Sequence, residues 1–366
     1  MELDRTPVIR YLAGKTVMVT GAAGSIGTEL CRQILQCRPE KLLCVDQDET
    51  ALFHLGEALD AAETPYGKRH RLQIADVADT NRMRKLLAEG PVQVVFHAAA
   101  YKHVPLVEDN VAEAARNNVI ALWDLLEIAE IAGCGRFVLV SSDKAVEPSS
   151  FMGCTKRIGE LLVASRPSSG MRSMGVRFGN VLGSQGSVLP TFKRQIARGE
   201  AITITHPAME RYFISASAAV SLVLQASAAG ENGDIFVLDM GSPVRIVDLA
   251  KGLLKLYGKS EAEVPFRYIG PRPGEKLREK LFYDDERKIP TGTRGLHKVK
   301  GRSVDWPVLR HQLQQLAGLL DSDSDSIRKM AKEIVPEYRP HFAPAQQLEK
   351  PETPRPAEGR FSTRNP

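Results

Sequence analysis

Short apolar runs rich in β-branched residues alternate with amphipathic stretches through the first half of the chain. Thr16–Thr20 (TVMVT), Leu42–Asp46 (LLCVD), Arg71–Ile74, Val92–His97 (VQVVFH), Arg136–Ser141 (RFVLVS) and Met174–Arg177 carry a strand pattern. Between them, Ser25–Leu35, Asn81–Ala88, Ala112–Ala132 and Lys156–Ala164 carry the apolar spacing of helices. This alternation predicts an α/β fold of the Rossmann type, a doubly wound parallel sheet. From Val181 the pattern loosens into glycine and proline turns, which predicts a smaller C-terminal lobe over a substrate. Ile235–Leu238 (IFVL) is expected to return to the main sheet. The expected division is 13–180 for the dinucleotide-binding domain, with a returning segment at about 213–250, and 181–338 for the second lobe. Residues 339–366 are rich in proline and poor in large apolar residues, the composition of a disordered tail.

Composition adds limits. With 43% hydrophobic and 25% charged residues in 366, the chain is ordinary globular material long enough for a large core. A net charge of +5 suits an anionic substrate such as a nucleotide diphosphate, but only weakly. No lysine–arginine run with interleaved aromatics and no zinc-finger spacing argues for nucleic acid. The five cysteines have no C-x-x-C pair, which predicts reduced thiols in a cytoplasmic protein. Met1–Lys15 lacks the apolar centre of a signal peptide, and no run approaches 18 apolar residues, so no membrane span is expected. Asp321, Asp323 and Asp325 resemble the start of a calcium loop. Ser326 and Lys332 stand where such a loop needs glycine and glutamate, so a helix N-cap before Ile327–Ile334 is predicted and no metal is expected.

The segment Gly21-Ala22-Ala23-Gly24-Ser25-Ile26-Gly27 follows the first strand and opens a helix. Gly21 permits a tight turn, Gly24 lets the backbone approach a pyrophosphate, and Gly27 allows close helix–strand packing. The helix N-terminus offers free N–H groups to the phosphates, so Ala23, Ser25 and Ile26 belong to the same cradle. Asp46 ends the second strand at the distance where a carboxylate grips a ribose 2′-hydroxyl, which favours NAD over NADP. Asp76 and Val77 follow the third strand and are placed to meet the adenine, although an aspartate there equally caps a helix. Ala98, Ala99 and Ala100 end the fourth strand in small residues that leave room for a cofactor.

Ser141-Ser142-Asp143-Lys144 ends the next strand, followed by Met152-Gly153-Cys154-Thr155-Lys156. The spacing resembles the extended short-chain dehydrogenase/reductase superfamily, which carries Ser/Thr and a Tyr-x-x-x-Lys pair here. Lys156 matches the lysine that binds nicotinamide ribose in that superfamily, and Met152 stands in place of the tyrosine, where it can be neither acid nor base. The segments Thr20–Gly27, His97–Glu108, Ser141–Lys156, Val176–Pro190, Thr205–Phe213 and Arg272–Leu277 resemble one family within it, from about Ala13 to about Pro340. That family is the CapD-like polysaccharide-biosynthesis group, the UDP-N-acetylglucosamine 4,6-dehydratases. Met for Tyr is similar to the large, membrane-anchored, configuration-retaining subgroup. The chain is therefore expected to be either such a catalytic domain, on the cytoplasmic side, or a soluble relative.

The resemblance implies tightly bound NAD that is regenerated each cycle, a UDP-sugar substrate and a homo-oligomer. It implies Asp143 as acid, Lys144 as base and Ser142 as hydrogen-bond donor near the sugar 4-oxygen. A lysine base must be neutral at working pH, which predicts a nearby cation, a low-dielectric cleft, or both. Phe178 would border the nicotinamide, and Lys102 and His103 would face sugar or phosphate. Asn180, Ser187 and Val188, with Thr205, would line the uridine side. Arg211 and Arg272, beside Glu275, would clamp the diphosphate. The plainer readings are structural arginines, a Glu275–Lys276 pair, a solvated loop at Lys102 and His103, and a core position for Phe178. Competing functions are a UDP-sugar 4-epimerase or reductase, which normally needs the missing tyrosine, and a non-catalytic NAD-binding regulator.

Overall fold

Val17–Val19, Leu42–Val45, Val94–Phe96 and Phe137–Val140 are unbroken apolar runs, and this continuous character suits burial on both faces of a parallel sheet. The structure, a computed structural model, describes residues 4–62, 68–167, 170–300 and 302–340. Its main sheet uses β1 (Thr16–Thr20), β2 (Lys41–Asp46), β3 (His70–Ile74), β4 (Val94–His97), β5 (Arg136–Val140), β6 (Arg172–Arg177), β7 (Ile235–Leu238), β8 (Lys288–Pro290) and β9 (Leu296–Val299). They lie in the order β8-β9-β7-β6-β5-β4-β1-β2-β3. The pairs from β3 to β7 are all parallel, with Val17 opposite both Leu42 and Val94. Only β9 against β7 and β8 against β9 are antiparallel. Strand order reverses between β1 and β4, so a ligand crevice opens at their carboxyl ends.

Ile235–Leu238 returns to the sheet as expected, beside β6. The β8–β9 extension is not expected from the sequence: short strands on either side of a turn holding Gly292 and Gly295 carry a weak signal, and an edge bearing Lys288 and Pro290 resists further pairing. Val92 and Gln93 fall outside β4, where the Gln93 side-chain oxygen accepts from Thr16 N at 2.7 Å.

The expected helix Ala112–Ala132 is three pieces: Val111–Ala115, a π-helical turn Arg116–Ile120, and Ala121–Ile131. The expected Lys156–Ala164 helix starts earlier, at Phe151, because the Ser150 hydroxyl accepts from Gly153 N and caps it. Asp323 does cap Ser324–Ile334, accepting from Asp325 N and Ser326 N. In the expected tail, Arg339 is tied back by its amide to Pro148 O at 2.9 Å, and residues 341–366 lie outside the described residues.

Apolar side chains fill both faces of the sheet. One layer joins Met18, Val95 and Phe137 to Leu161 and to Leu309, Leu313 and Ile327 of the last two helices. The other joins Val17, Val19 and Val138 to Leu30, Ile34 and Val223. A third cluster, Phe192, Ile196, Ile202, Ile204, Val247 and Leu253, forms separately beyond the carboxyl ends of the strands, where Ile202–Ile204 pairs with Phe266–Tyr268. Among the described residues, no helix is long and apolar enough to cross a membrane.

Candidate active site

The glycine turn after β1 has the geometry its sequence implies. Gly21 adopts φ +66°, where a Cβ would meet Ala99 N at 2.5 Å. A Cβ on Gly27 would lie 2.0 Å from Gly21 O, so only glycine lets the Ser25–Leu35 helix start against the turn. Gly24 is its N-cap with no side-chain hydrogen bond to the first turn, which leaves the first N–H groups facing the crevice. Asp46 holds the turn from outside: its Oδ2 accepts from Ala23 N at 2.9 Å and its Oδ1 from Asp48 N at 3.1 Å. Asp76 accepts from Ala78 N, while the helix cap proper is Asp79.

A cavity of about 440 Å³ runs from this turn along the strand ends. Its wall takes Gly21, Gly24, Ser25, Ile26 and Gly27, then Asp46, Asp76 and Val77, then Ala98, Ala99, Ala100, Lys102 and His103. On the far side it takes Ser142, Lys144, Met152, Lys156, Phe178, Asn180 and Ser187. Ala23 is buried behind it. Lys156 donates to Val140 O at 3.0 Å, and burial lowers it to about 8, against an opposing pull from Glu160. His97 bonds Thr20 Oγ1 at 2.8 Å; burial first, then Lys156, push it down to about 3, so it is neutral.

Asp143 and Lys144 sit in a single tight turn at the end of β5. Ser142 caps that turn, accepting from Lys144 N. Asp143 N donates to Phe178 O, and its carboxylate is wholly buried. Its Oδ1 accepts from Ser142 Oγ at 2.9 Å and from Lys144 Nζ at 3.0 Å, while its buried Oδ2 has no hydrogen-bond partner among the described residues. Lys144 Nζ also donates to Asn180 Oδ1 at 3.2 Å and lies 3.7 Å from Glu279 Oε1. A Cβ on Gly153 would fall 2.3 Å from Lys144 O, so glycine there lets the Met152 helix press on this turn.

The expectation that Lys144 is neutral is corrected here. Burial pulls its proton affinity down and Arg211 adds to that, but Asp143 and Glu279 outweigh both and hold it above the ordinary lysine range. Both expected influences exist. Two carboxylates overcome them.

A second cavity, of about 260 Å³, adjoins the first and shares Lys144, Asn180, Gly186 and Ser187 with it. Val188, Thr205, Arg211, Arg272 and Glu275 line it. Arg211 is buried, and its Nη1 and Nη2 donate to the carbonyls of Glu210, Leu277 and Lys276. Glu275 accepts from Arg272 N at 3.1 Å. Lys276 does not pair with Glu275: it reaches Val146 O at 2.7 Å and Glu279 at 3.4 Å, since that side of the loop faces the buried turn. His103 packs on Gly186, where any Cβ would meet its ring.

Sequence reading misses Glu279 and Asn117. Asn117 is buried in the wall of the larger cavity, and Asn118 pins the loop after β4 by accepting from Tyr101 N and donating to Tyr101 O and Thr155 Oγ1. The available signal is the Asn-Asn pair inside an otherwise helical pattern, at the π-turn.

The chain matches the family described as "Polysaccharide biosynthesis protein" over residues 17–300. It is 43% identical over 324 residues to the probable polysaccharide biosynthesis protein EpsC of Bacillus subtilis, covering 88% of this chain and 54% of that protein. It is 45% identical over 290 residues to the capsular polysaccharide biosynthesis protein CapD of Staphylococcus aureus, covering 78% and 48%. The chain thus spans about half the length of these curated relatives. Among solved structures, Pen from Bacillus thuringiensis superposes with a TM-score of 0.72 at 28% identity, over 79% of this chain and 87% of that one. Sequence, fold and the glycine turn agree: the chain belongs to the polysaccharide biosynthesis protein family, in its CapD-like group of extended short-chain dehydrogenases/reductases.

Proposed function

We propose that this chain is a nucleotide-sugar 4,6-dehydratase acting on UDP-N-acetylglucosamine, with NAD in the larger cavity and the sugar at its junction with the smaller one. The observation that carries this reading is Lys144 at that junction, hydrogen-bonded to the buried Asp143 behind it, beside a methionine where epimerases of this fold need a tyrosine. The glycine turn fits NAD: Gly21 and Gly27 leave no room for a Cβ, and Asp46 lines the same cavity, where its carboxylate would meet a ribose hydroxyl. Bound there, NAD supplies reversible hydride acceptance, which makes the sugar C5 proton acidic through a 4-keto group.

The chain's own residues handle the protons. The ammonium–carboxylate pair and its neutral tautomer hold the same number of protons. Moving one proton across the 3.0 Å Lys144–Asp143 bond gives an amine and a carboxylic acid. In that form Lys144 takes the C5 proton, and the Asp143 proton passes through the Ser142 hydroxyl, which lines the cavity, to the departing 6-hydroxyl, which leaves as water; the regained Lys144 ammonium then returns a proton to C5. Ser142 hydrogen-bonds near the 4-oxygen. Met152, 3% exposed, supplies shape and keeps water out. The diphosphate would lie in the smaller cavity near Arg272 and Lys276, with the uridine toward Ser187, Val188 and Thr205.

The test is turnover of UDP-N-acetylglucosamine deuterated at C4, read by mass spectrometry and proton NMR. Deuterium at C6, with C5 exchanged to solvent and no accumulation of reduced cofactor, is the expected result. Deuterium retained at C4 of an epimerised sugar would make the chain an epimerase. No turnover of any UDP-sugar by NAD-loaded protein would leave a binding protein.

A further inference from the structure

We propose that Glu279 is the positioning residue for Lys144, its buried carboxylate forming the second wall of the seat in which that side chain is held. This rests on the role of Lys144 in the function proposed above. Glu279 lies on the chain segment four residues after Glu275, yet the two differ sharply. Glu275 accepts from a backbone amide at the surface, whereas the Glu279 side chain is only 3% exposed. Its Oε1 lies 3.7 Å from Lys144 Nζ, and its Oε2 is ion-paired with Lys276 Nζ 3.4 Å away. A carboxylate buried at such cost persists where nearby cations compensate it. It faces the smaller cavity, so it acts at the meeting point of substrate and Lys144.

Lys144 Nζ has three protons and three neighbours: Asp143 Oδ1, Asn180 Oδ1 and Glu279 Oε1. The charged groups around it come from every element packed there. Asp143 lies on its own turn, Glu279 and Lys276 on the segment after Arg272, and Arg211 on the short strand Glu210–Arg211. Lys156, Lys102 and His103 line the shared cavity wall. Burial and Arg211 favour the neutral amine, while Asp143 and Glu279 favour the ammonium. Without Glu279, Asp143 alone opposes burial, and Lys144 gives up its proton more easily. Glu279 thus keeps the base protonated until a substrate displaces the balance.

The test reads Lys144 directly in the intact NAD-loaded protein. Its side chain is 21% exposed, so competitive labelling with acetic anhydride across a pH series, followed by mass spectrometry of the Lys144 peptide, gives its titration midpoint. In Glu279→Gln the midpoint should fall by about one unit, so that Lys144 labels roughly tenfold faster on the acid side of the wild-type midpoint. Glu279→Asp should restore most of the wild-type value. Lys276→Met removes a competing cation and should move the midpoint upward, which keeps the test open if Glu279→Gln fails to fold. An unchanged midpoint in Glu279→Gln, or in Lys276→Met where Glu279→Gln does not fold, would overturn the proposal. With UDP-N-acetylglucosamine, the acidic limb of kcat/KM should shift in step with the labelling. A shifted midpoint without any turnover would support Glu279 and refute the dehydratase.

Discussion

At the residue scale, the site consists of side chains whose chemistry is set by what surrounds them. Asp143→Asn and Lys144→Met should each lower turnover by about 10²- to 10⁴-fold, the usual cost of losing a general acid or base, while NAD binding by calorimetry is retained. Met152→Ala should be much milder, because methionine moves no proton. Lys156 offers a separate check: burial lowers it to about 8, so the same labelling run on NAD-free protein should give it a midpoint near that value, below those of surface lysines. The sign for stability follows from the same shift. A lysine depressed in the folded state binds more protons when unfolded, so it destabilises the fold while charged. That cost is relieved as pH rises from about 8 toward the ordinary lysine value of 10.5. Denaturant titrations should therefore show Lys156→Met gaining stability over the parent at neutral pH, and the gain shrinking in alkaline buffer. The positions of Asp143, Lys144 and Lys156 were legible because each follows a strand end at a short spacing. The charge of Lys144 was not, because it depends on Glu279, far away along the chain.

At the scale of elements, the strand–turn–helix unit of β1 and Ser25–Leu35 depends on two glycines with different duties. Gly21 needs its positive φ, and Gly27 needs the absence of a side chain. Gly27→Ala should force the helix away from the turn and weaken NAD binding by roughly tenfold or more, about 1.4 kcal/mol or above, as read by calorimetry. Both duties could be assigned from sequence because they arise within seven residues. The π-turn Arg116–Ile120 was hidden for the opposite reason. Periodicity continues across it, and what selects the extra residue per turn is Asn118 reaching Tyr101 and Thr155 on other elements. The start of the Met152 helix was missed similarly. Ser150 is an ordinary capping residue, but Gly153 earns its place only when Lys144 O lies against it.

At the scale of the whole molecule, Arg177 ties the last parallel strands to the segment that carries Glu279. Buried completely, it bonds Glu160 at 3.0 and 2.8 Å, Glu286 at 2.7 and 2.9 Å, and Leu281 O at 2.8 Å. Arg177→Met would leave Glu160 only Arg157 and Ser141 and leave Glu286 only the Tyr283 amide, and should cost about 3 kcal/mol in urea denaturation, the lower end for breaking one side of a buried ion pair. The sequence by itself determined the α/β alternation, the glycine turn with Asp46, and the Ser142-Asp143-Lys144 and Lys156 groups at the end of β5. These signals live in hydrophobic period and short spacing, which the backbone enforces locally. Tertiary structure alone decided the β8–β9 edge, the carbonyl partners of Arg211, and the protonation of Lys144 between Asp143 and Glu279. Those outcomes depend on burial and on charges brought together from distant segments, and neither quantity exists until the chain has folded.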